Sequence, residues 1–241
     1  MTDEPGPSDP EHEQEQEART PDALVAERRK KRAALADQGI DPYPLRFDRT
    51  ALAAELHERH GDLGPEARTG EVVRVAGRLK SIRGHGALSF ATLEDMSGSV
   101  QLLMQQSVLS DQAKAVLAHA DLGDWIGAEG EVMTSRRGEL SIGATELWLL
   151  SKALRPLPDK WHGLTATDIR YRQREIDRLA NPDTRKVFDI RIRAIAALRR
   201  QMTEEGFVEV DTPILQPQAG GGYARPFVTH ANALDIDLRL R

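Results

Sequence analysis

Polar and apolar residues alternate through the middle of this chain, while on either side of it apolar residues recur at helical spacing. Between Glu71 and Leu150 the two-residue period dominates. Val73, Val75 and Leu79 share one face of a run whose other face carries Arg74, Arg78 and Lys80. Leu88 to Leu93 reads as a second strand, entered through the turn Arg83-Gly84-His85-Gly86. Asp95-Met96-Ser97-Gly98 reads as a hairpin turn, after which Val100, Leu102 and Met104 alternate with Gln101 and Leu103. Ser110 to Ala120 is predicted helical. Trp125 to Met133 and Leu140 to Leu150 are predicted strands, joined at Arg136-Arg137-Gly138. Three strands, a helix and two strands within ~80 residues is the order of a five-stranded oligonucleotide-binding barrel. Another small barrel or sandwich would fit the same pattern.

The flanks are helical. Ala23 to Gln38 is predicted as a helix opened by Pro21 and Asp22 and stopped by Gly39; Leu24, Ala34 and Leu35 give it a thin apolar stripe. Ala51 to His60 reads as a short second helix. Beyond the stiff segment Leu154-Arg155-Pro156-Leu157-Pro158-Asp159, Asp168 to Leu179 reads as one basic helix. Asn181 and Pro182 suit the cap and first turn of another. In that helix Phe188, Ile192, Ile195, Leu198 and Met202 recur at three and four residues, predicting one buried stripe. Gly206 ends it. Phe207 to Val210 is a predicted strand, broken at Thr212-Pro213.

These patterns divide the chain into a tail (1–20), a helical segment (21–65), a barrel (66–152), a linker (153–168) and a second α+β unit (169–241). The tail is acidic and almost without apolar residues, so it is expected to be disordered. Net charge is −5, but Arg28-Arg29-Lys30-Lys31-Arg32 and the stretch from Arg170 to Arg200 are basic. Local charge of that kind sets affinity for phosphate whatever the total. The chain has no cysteine, which excludes disulfides and Cys-ligated metals. No signal core and no run of ~20 apolar residues is present, so a cytoplasmic protein without a membrane partner is expected.

Self-contained catalysis is hard to find. There is no Gly-x-x-x-x-Gly-Lys phosphate loop, and Gly84-His85-Gly86 has Ser89 where a dinucleotide-binding pattern needs a third glycine. The seven histidines form no metal-binding pair. Glu94 and Asp95 are adjacent, as an acid/base pair would be, but they sit at a hairpin, and a solvated turn accounts for them better. Arg28 to Arg32 suits a phosphate backbone or a merely solvated face. Phe90 is a candidate base-stacking platform or a core residue, because both faces of its strand carry apolar side chains. Gln101, on the polar face of the third strand, suits a base edge or water. Gly220-Gly221-Gly222 lets backbone approach a ligand, or is a plain loop.

Several segments together resemble lysyl-tRNA synthetases of the second class. They include Gly77-Arg78, Ser89-Phe90-Ala91-Thr92-Leu93, Gly138-Glu139-Leu140-Ser141-Ile142 and the run from Lys152-Ala153-Leu154-Arg155-Pro156-Leu157-Pro158-Asp159-Lys160 through Trp161-His162-Gly163-Leu164. Arg170-Tyr171-Arg172-Gln173-Arg174, Gly206-Phe207-Val208-Glu209-Val210-Asp211-Thr212-Pro213 and Ala224-Arg225-Pro226-Phe227-Val228-Thr229-His230 complete the set. The resemblance runs from about Ala23 to the end.

It implies an α+β chain: an oligonucleotide-binding barrel followed by the start of an antiparallel catalytic sheet. Phe90 would stack on an anticodon base, and Gln101 and Glu139, with Arg83, would read a uridine-rich triplet. Arg28, Arg29, Lys30, Lys31 and Arg32 would contact the tRNA. Phe188, Ile192, Ile195 and Pro213 would belong to motif 1, the homodimer interface. Gly220 and Gly221 would line the lysine pocket, where Tyr223 is bulkier than the family's residue. The implied partners are tRNA(Lys), L-lysine and ATP, with Mg2+ as cofactor. The ATP-binding motifs 2 and 3 of the family are not among these residues, so this chain by itself is expected to bind tRNA without charging it and to hold neither ATP nor Mg2+. A stand-alone RNA-binding or regulatory remnant is the alternative.

Overall fold

In the computed structural model, residues 20–85, 87–157, 164–218, 220, 223 and 225–240 are described. The expected disordered tail, apart from Thr20, lies outside them. Contacts divide the chain into two compact units, residues 1–162 and 163–241.

The first unit begins with α1 (Pro21–Asp37), whose Thr20 Oγ1 accepts the Ala23 N–H, and α2 (Ala53–His60). The barrel follows: β1 (Arg68–His85), β2 (Leu88–Glu94), β3 (Ser99–Gln105), helix α3 (Asp111–His119), β4 (Trp125–Thr134) and β5 (Leu140–Ser151). Five strands close in the order β1-β2-β3-β5-β4, with β3 and β5 parallel and the other pairs antiparallel. The strand order and helix position match the sequence reading. β1 is longer than expected and absorbs the predicted Arg83–Gly86 turn as far as His85.

The alternation explains the core. Val73, Val75, Leu79, Ala91, Leu93, Val100, Leu102, Met104, Ile142 and Leu149 point inward and are buried. The Val, Leu, Ile and Met side chains among them contribute about 1.5–3 kcal/mol each when fully removed from water. Ala113 and Val116 of α3 join this core, as do Leu56 of α2 and Leu35 of α1. Glycine permits one close approach: a Cβ on Gly130 would stand 2.1 Å from the Gly143 carbonyl oxygen.

Polar contacts lock the added helices to the barrel. Asp95 is neither half of an acid/base pair nor a merely solvated turn residue: it is a helix cap. Its Oδ2 accepts the Ala53 N–H at 3.0 Å, and its Oδ1 accepts from the Ser97 and Gly98 amides. Ser97 Oγ accepts the Ala54 N–H at 3.0 Å. Burial would raise the Asp95 carboxyl, but the Ser97 hydroxyl and these amides outweigh it and hold it below the usual carboxylate range.

The second unit contains α4 (Thr167–Arg172), α5 (Arg174–Ala180), α6 (Pro182–Glu204) and a sheet of β6 (Leu215–Gln216), β8 (Ile236–Leu240) and β7 (Val228–Ala231). Four expectations need correction here. The single helix over 168–179 is two, broken at Gln173 (φ −117°, ψ 58°). Arg170 Nε and Arg174 Nη1 reach the buried Asp177 carboxylate from the two pieces, at 2.9 and 2.6 Å. Asn181 does not cap α6 through its side chain; its Nδ2 donates to Leu164 O and to Asp177. Phe207 to Val210 joins no sheet ladder, and its apolar side chains are exposed. The α6 stripe is not buried either: Ile192, Ile195, Leu198 and Met202 are exposed, and Phe188 is half-buried beneath the Arg174 and Arg178 guanidiniums. A stripe needs a partner surface to bury it, and none of the described residues supplies one.

Candidate nucleic-acid interface

Paired residues in a sheet point to the same face, so the register defines what the barrel offers outside. One row crosses four strands as Arg83, Phe90, Leu103 and Gly143. The next row, two residues along each strand, is Ser81, Thr92, Gln101 and Ser141. The spacing between rows is about 7 Å, comparable to the width of a base. The first row is apolar with a guanidinium at its end; the second is polar throughout.

A bulge makes this arrangement. Leu79 pairs with Leu93 and Ser81 with Thr92, so Lys80 is the extra residue. Plain alternation from Leu79 would have turned Ser81 and Arg83 inward. The bulge turns them outward, beside Phe90, and directs Ile82 towards the barrel's end. Phe90 itself, whose face the sequence left open, is on the outer side because Ala91 and Leu93 are the buried residues of β2. It is half-buried. Gly143 keeps the row flat next to Leu103; a Cβ there would meet Met133 Sδ at 2.8 Å.

Gln101 and Glu139 come together. Gln101 is 7% exposed, and its Nε2 donates to Glu139 Oε2 at 2.7 Å. Glu139 is exposed, at the end of the β4–β5 turn. That turn is fixed by Ser135, whose N–H donates to Glu139 O (2.8 Å) and whose Oγ accepts the Glu139 N–H (3.1 Å), with Gly138 at φ +79°. Arg136 and Arg137 on the same turn are exposed. In the sequence they mark only a turn; their place beside Glu139 is visible only in the fold. Thr92, Leu103 and Ser141 were missed as well, because neighbouring rows are set by pairing between strands. Beside Arg83, a cleft of ≈540 Å³ lined also by Gln106 and Lys114 continues past the end of the rows.

The basic helix is not uniform. Arg28 Nη1 donates to the Ala153 and Arg155 carbonyls at 2.9 and 3.1 Å, and Lys31 Nζ pairs with Asp121 at 2.7 Å and Glu27 at 3.0 Å. These two side chains tether α1 to the barrel and its exit. Arg29 and Lys30 are exposed and Arg32 half-exposed. The run from Arg170 is likewise partly structural, since Arg170 and Arg174 are drawn to Asp177.

In the second unit Gly220 is exposed, Gly221 lies outside the described residues and the Tyr223 side chain is fully exposed. Pro213 is exposed in the stretch between α6 and β6. Among the described residues no three His, Asp or Glu side chains are grouped to hold a metal, and no helix is long and apolar enough to cross a membrane.

Residues 73–150 match the family of OB-fold nucleic acid binding domains, and residues 166–240 match the class II tRNA synthetases of the D, K and N type. The chain is 49% identical over 216 residues to a lysine–tRNA ligase of Pediococcus pentosaceus and 46% identical over 216 residues to one of Enterococcus faecalis. A lysine–tRNA ligase of Streptococcus pyogenes is 49% identical over the same length. Each match takes in 89% of this chain but only 43–44% of the relative's length.

Proposed function

We propose, from the premise that this chain belongs to the class II lysyl-tRNA synthetase family and corresponds to its amino-terminal part, that its barrel holds the anticodon loop of tRNA(Lys). A protein carrying these residues together with the rest of the family's length would ligate lysine to that tRNA with ATP, in the cytoplasm.

One observation carries the reading: a stacking row and a hydrogen-bonding row lie side by side on the outside of the barrel. Unpaired bases stack on aromatic rings for about 1–3 kcal/mol each. A base lying on Phe90 and Leu103 would extend its edge over Gln101 and Glu139. Arg83, Arg136 and Arg137 stand around it for the backbone, and Arg29, Lys30 and Arg32 offer a second contact with phosphate. The helical segment, barrel and linker would form the tRNA-binding part, and residues 169–241 the start of the catalytic part.

In that second part, the exposed Ile192 and Ile195, with Phe188 and Pro213, would meet the same surface of a second copy, and Gly220 and Gly221 would border the lysine pocket. Adenylate formation requires charge positioned around the phosphates of ATP, with Mg2+. Among the described residues no three His, Asp or Glu side chains are grouped to hold a metal, and no chemical step is assigned to them. Residues 1–241 by themselves would bind tRNA and leave it uncharged.

The test is binding of the purified chain to lysine-accepting and to other tRNA transcripts, for wild type and Phe90→Ala. A preference for the lysine acceptor that is lost with Phe90 is expected. Equal affinity for all transcripts, unchanged by the substitution, would overturn the reading.

A further inference from the structure

We propose that the cleft between the β1–β2 hairpin and α3 is a phosphate subsite: Lys114, with Arg83, holds the phosphodiester of the nucleotide next to the base on Phe90, whatever base that neighbour carries. This rests on the function proposed above and extends the RNA path past the sheet.

The cleft begins where the stacking row ends. Arg83 pairs with Phe90 across β1 and β2, and the same residue lines the cleft of ≈540 Å³. Sites for small ligands run to ~300–1,000 Å³, so a ribose and its phosphate have room. The described lining residues include two cations, Arg83 and Lys114, and no carboxylate. Ile82, Leu117 and Ala120 line both this cleft and the interior of the barrel. The apolar floor is therefore the cap of a packed core, held in place by it. A flat sugar face suits that floor, and the two cations suit the charge beside it.

Lys114 reaches a phosphate at little cost. Its partner is Asp111 Oδ1 at 3.2 Å, and the two side chains are 43% and 102% exposed. Ion pairs so open to water contribute little. The carbonyls at the C-terminal end of α3 carry partial negative charge, which disfavours an anion. Lys152 Nζ offsets that charge by donating to His119 O at 2.8 Å. Phosphate oxygens are the same in every nucleotide, so contacts of this kind position the strand without reading its sequence.

The experiment measures binding of the full chain to an anticodon stem-loop RNA with three loop uridines, carrying a neutral methylphosphonate at each loop linkage in turn. Wild type, Lys114→Ala, Lys114→Arg and Arg46→Ala are compared. Wild type is expected to lose up to about fivefold in affinity at certain linkages, the range of an exposed ion pair. Lys114→Ala is expected to lose as much with the unmodified RNA and nothing further at one of those linkages. Its slope of log affinity against log salt should fall by about 0.7. Lys114→Arg keeps the charge and should restore both readouts. Arg46 is exposed and paired with Asp48, outside the cleft, so Arg46→Ala should leave both unchanged.

If Lys114→Ala shows no melting transition, Lys114→Gln carries the comparison, with most of the side chain kept and the charge removed. Methylphosphonate losses equal in wild type and the uncharged variant at every linkage, while Phe90→Ala still weakens binding, would overturn the subsite alone. An equal fall in slope for Arg46→Ala, with no linkage singled out by Lys114, would do the same. Wild-type binding that does not depend on Phe90 would instead overturn the anticodon reading beneath it.

Discussion

Lys152 Nζ lies 2.7 Å from Asp124 Oδ2, and neither side chain is exposed. The same ammonium donates to Asp121 Oδ2 at 2.5 Å and to the His119 carbonyl at 2.8 Å. Asp124 Oδ1 in turn accepts the Ala153 N–H at 2.7 Å. Lys31 of α1 reaches Asp121 as well. The cluster therefore joins the basic helix, the end of α3 and the chain leaving β5. Removing one partner of a buried pair strands the other charge. Lys152→Met is expected to lower barrel stability by about 3–5 kcal/mol, read from the urea midpoint. Pairing it with Asp124→Asn should recover part of the loss. A midpoint unchanged by Lys152→Met would show that the cluster contributes no net stability.

The Asp95 cap gives a second stability prediction, with a sign in pH. Asp95→Ala leaves the Ala53 amide of α2 without its acceptor and should cost about 0.5–2 kcal/mol. The folded carboxyl is held below its ordinary value, so its contribution is complete above the unfolded pKa of about 3.9. It fades as pH falls through the lower folded pKa. The stability gap between wild type and variant should thus be constant near neutrality and close only in acid. Asp121 shares the sign. Burial would raise it, but the Lys152 and Lys31 hydrogen bonds outweigh that and hold it low. A gap that widened in acid would contradict the Asp95 prediction.

Phe90→Ala is expected to weaken RNA binding about 5- to 150-fold, the worth of one stacked base. Phe90 is only half-buried, so the melting temperature should move far less than for a core residue such as Leu102. Phe90→Trp should keep affinity. A Phe90→Ala protein that melts early and binds normally would place the ring in the core.

The α1 cations should separate in a salt titration. Each of Arg29→Ala, Lys30→Ala and Arg32→Ala is expected to lower affinity and to reduce the slope of log affinity against log salt by about 0.7–0.9, with little change in melting. Arg28→Ala, which loses two carbonyl contacts, should instead destabilise the docking of α1. Equal slopes for all four variants would remove this helix from the RNA contact.

The exposed stripe of α6 predicts self-association. Ile192→Asp and Ile195→Asp should shift the full chain towards monomer in sedimentation velocity, without lowering RNA affinity at saturating protein. A wild-type chain already monomeric at high concentration would count against the interface.

How much of this was legible in the sequence depended on distance along the chain. Val73, Val75 and Leu79 announce β1, because a strand with one buried face must alternate. Ser110 and the Pro21 region mark helix starts by local chemistry. The Asp95–Gly98 turn was legible, but not its second task as the cap of α2, because the Ala53 amide that Asp95 accepts is 42 residues away. The exposed α6 stripe and the unpaired Phe207–Val210 segment show the opposite limit. A periodic pattern states which face seeks burial, and it does not supply the surface that buries it.

The sequence by itself therefore determined the order of strands and helices, the uneven charge and the resemblance to a synthetase family, because local periodicity and segment similarity carry those. Tertiary structure alone decided that the bulge at Lys80 turns Arg83 outward beside Phe90, that Gln101 meets Glu139 over Ser141, and that Arg28 and Lys31 tether α1 to the barrel. The reason is geometric. Side-chain direction after a bulge, and contact between strands closed into a barrel, follow from hydrogen-bond register between distant segments, which no single segment encodes.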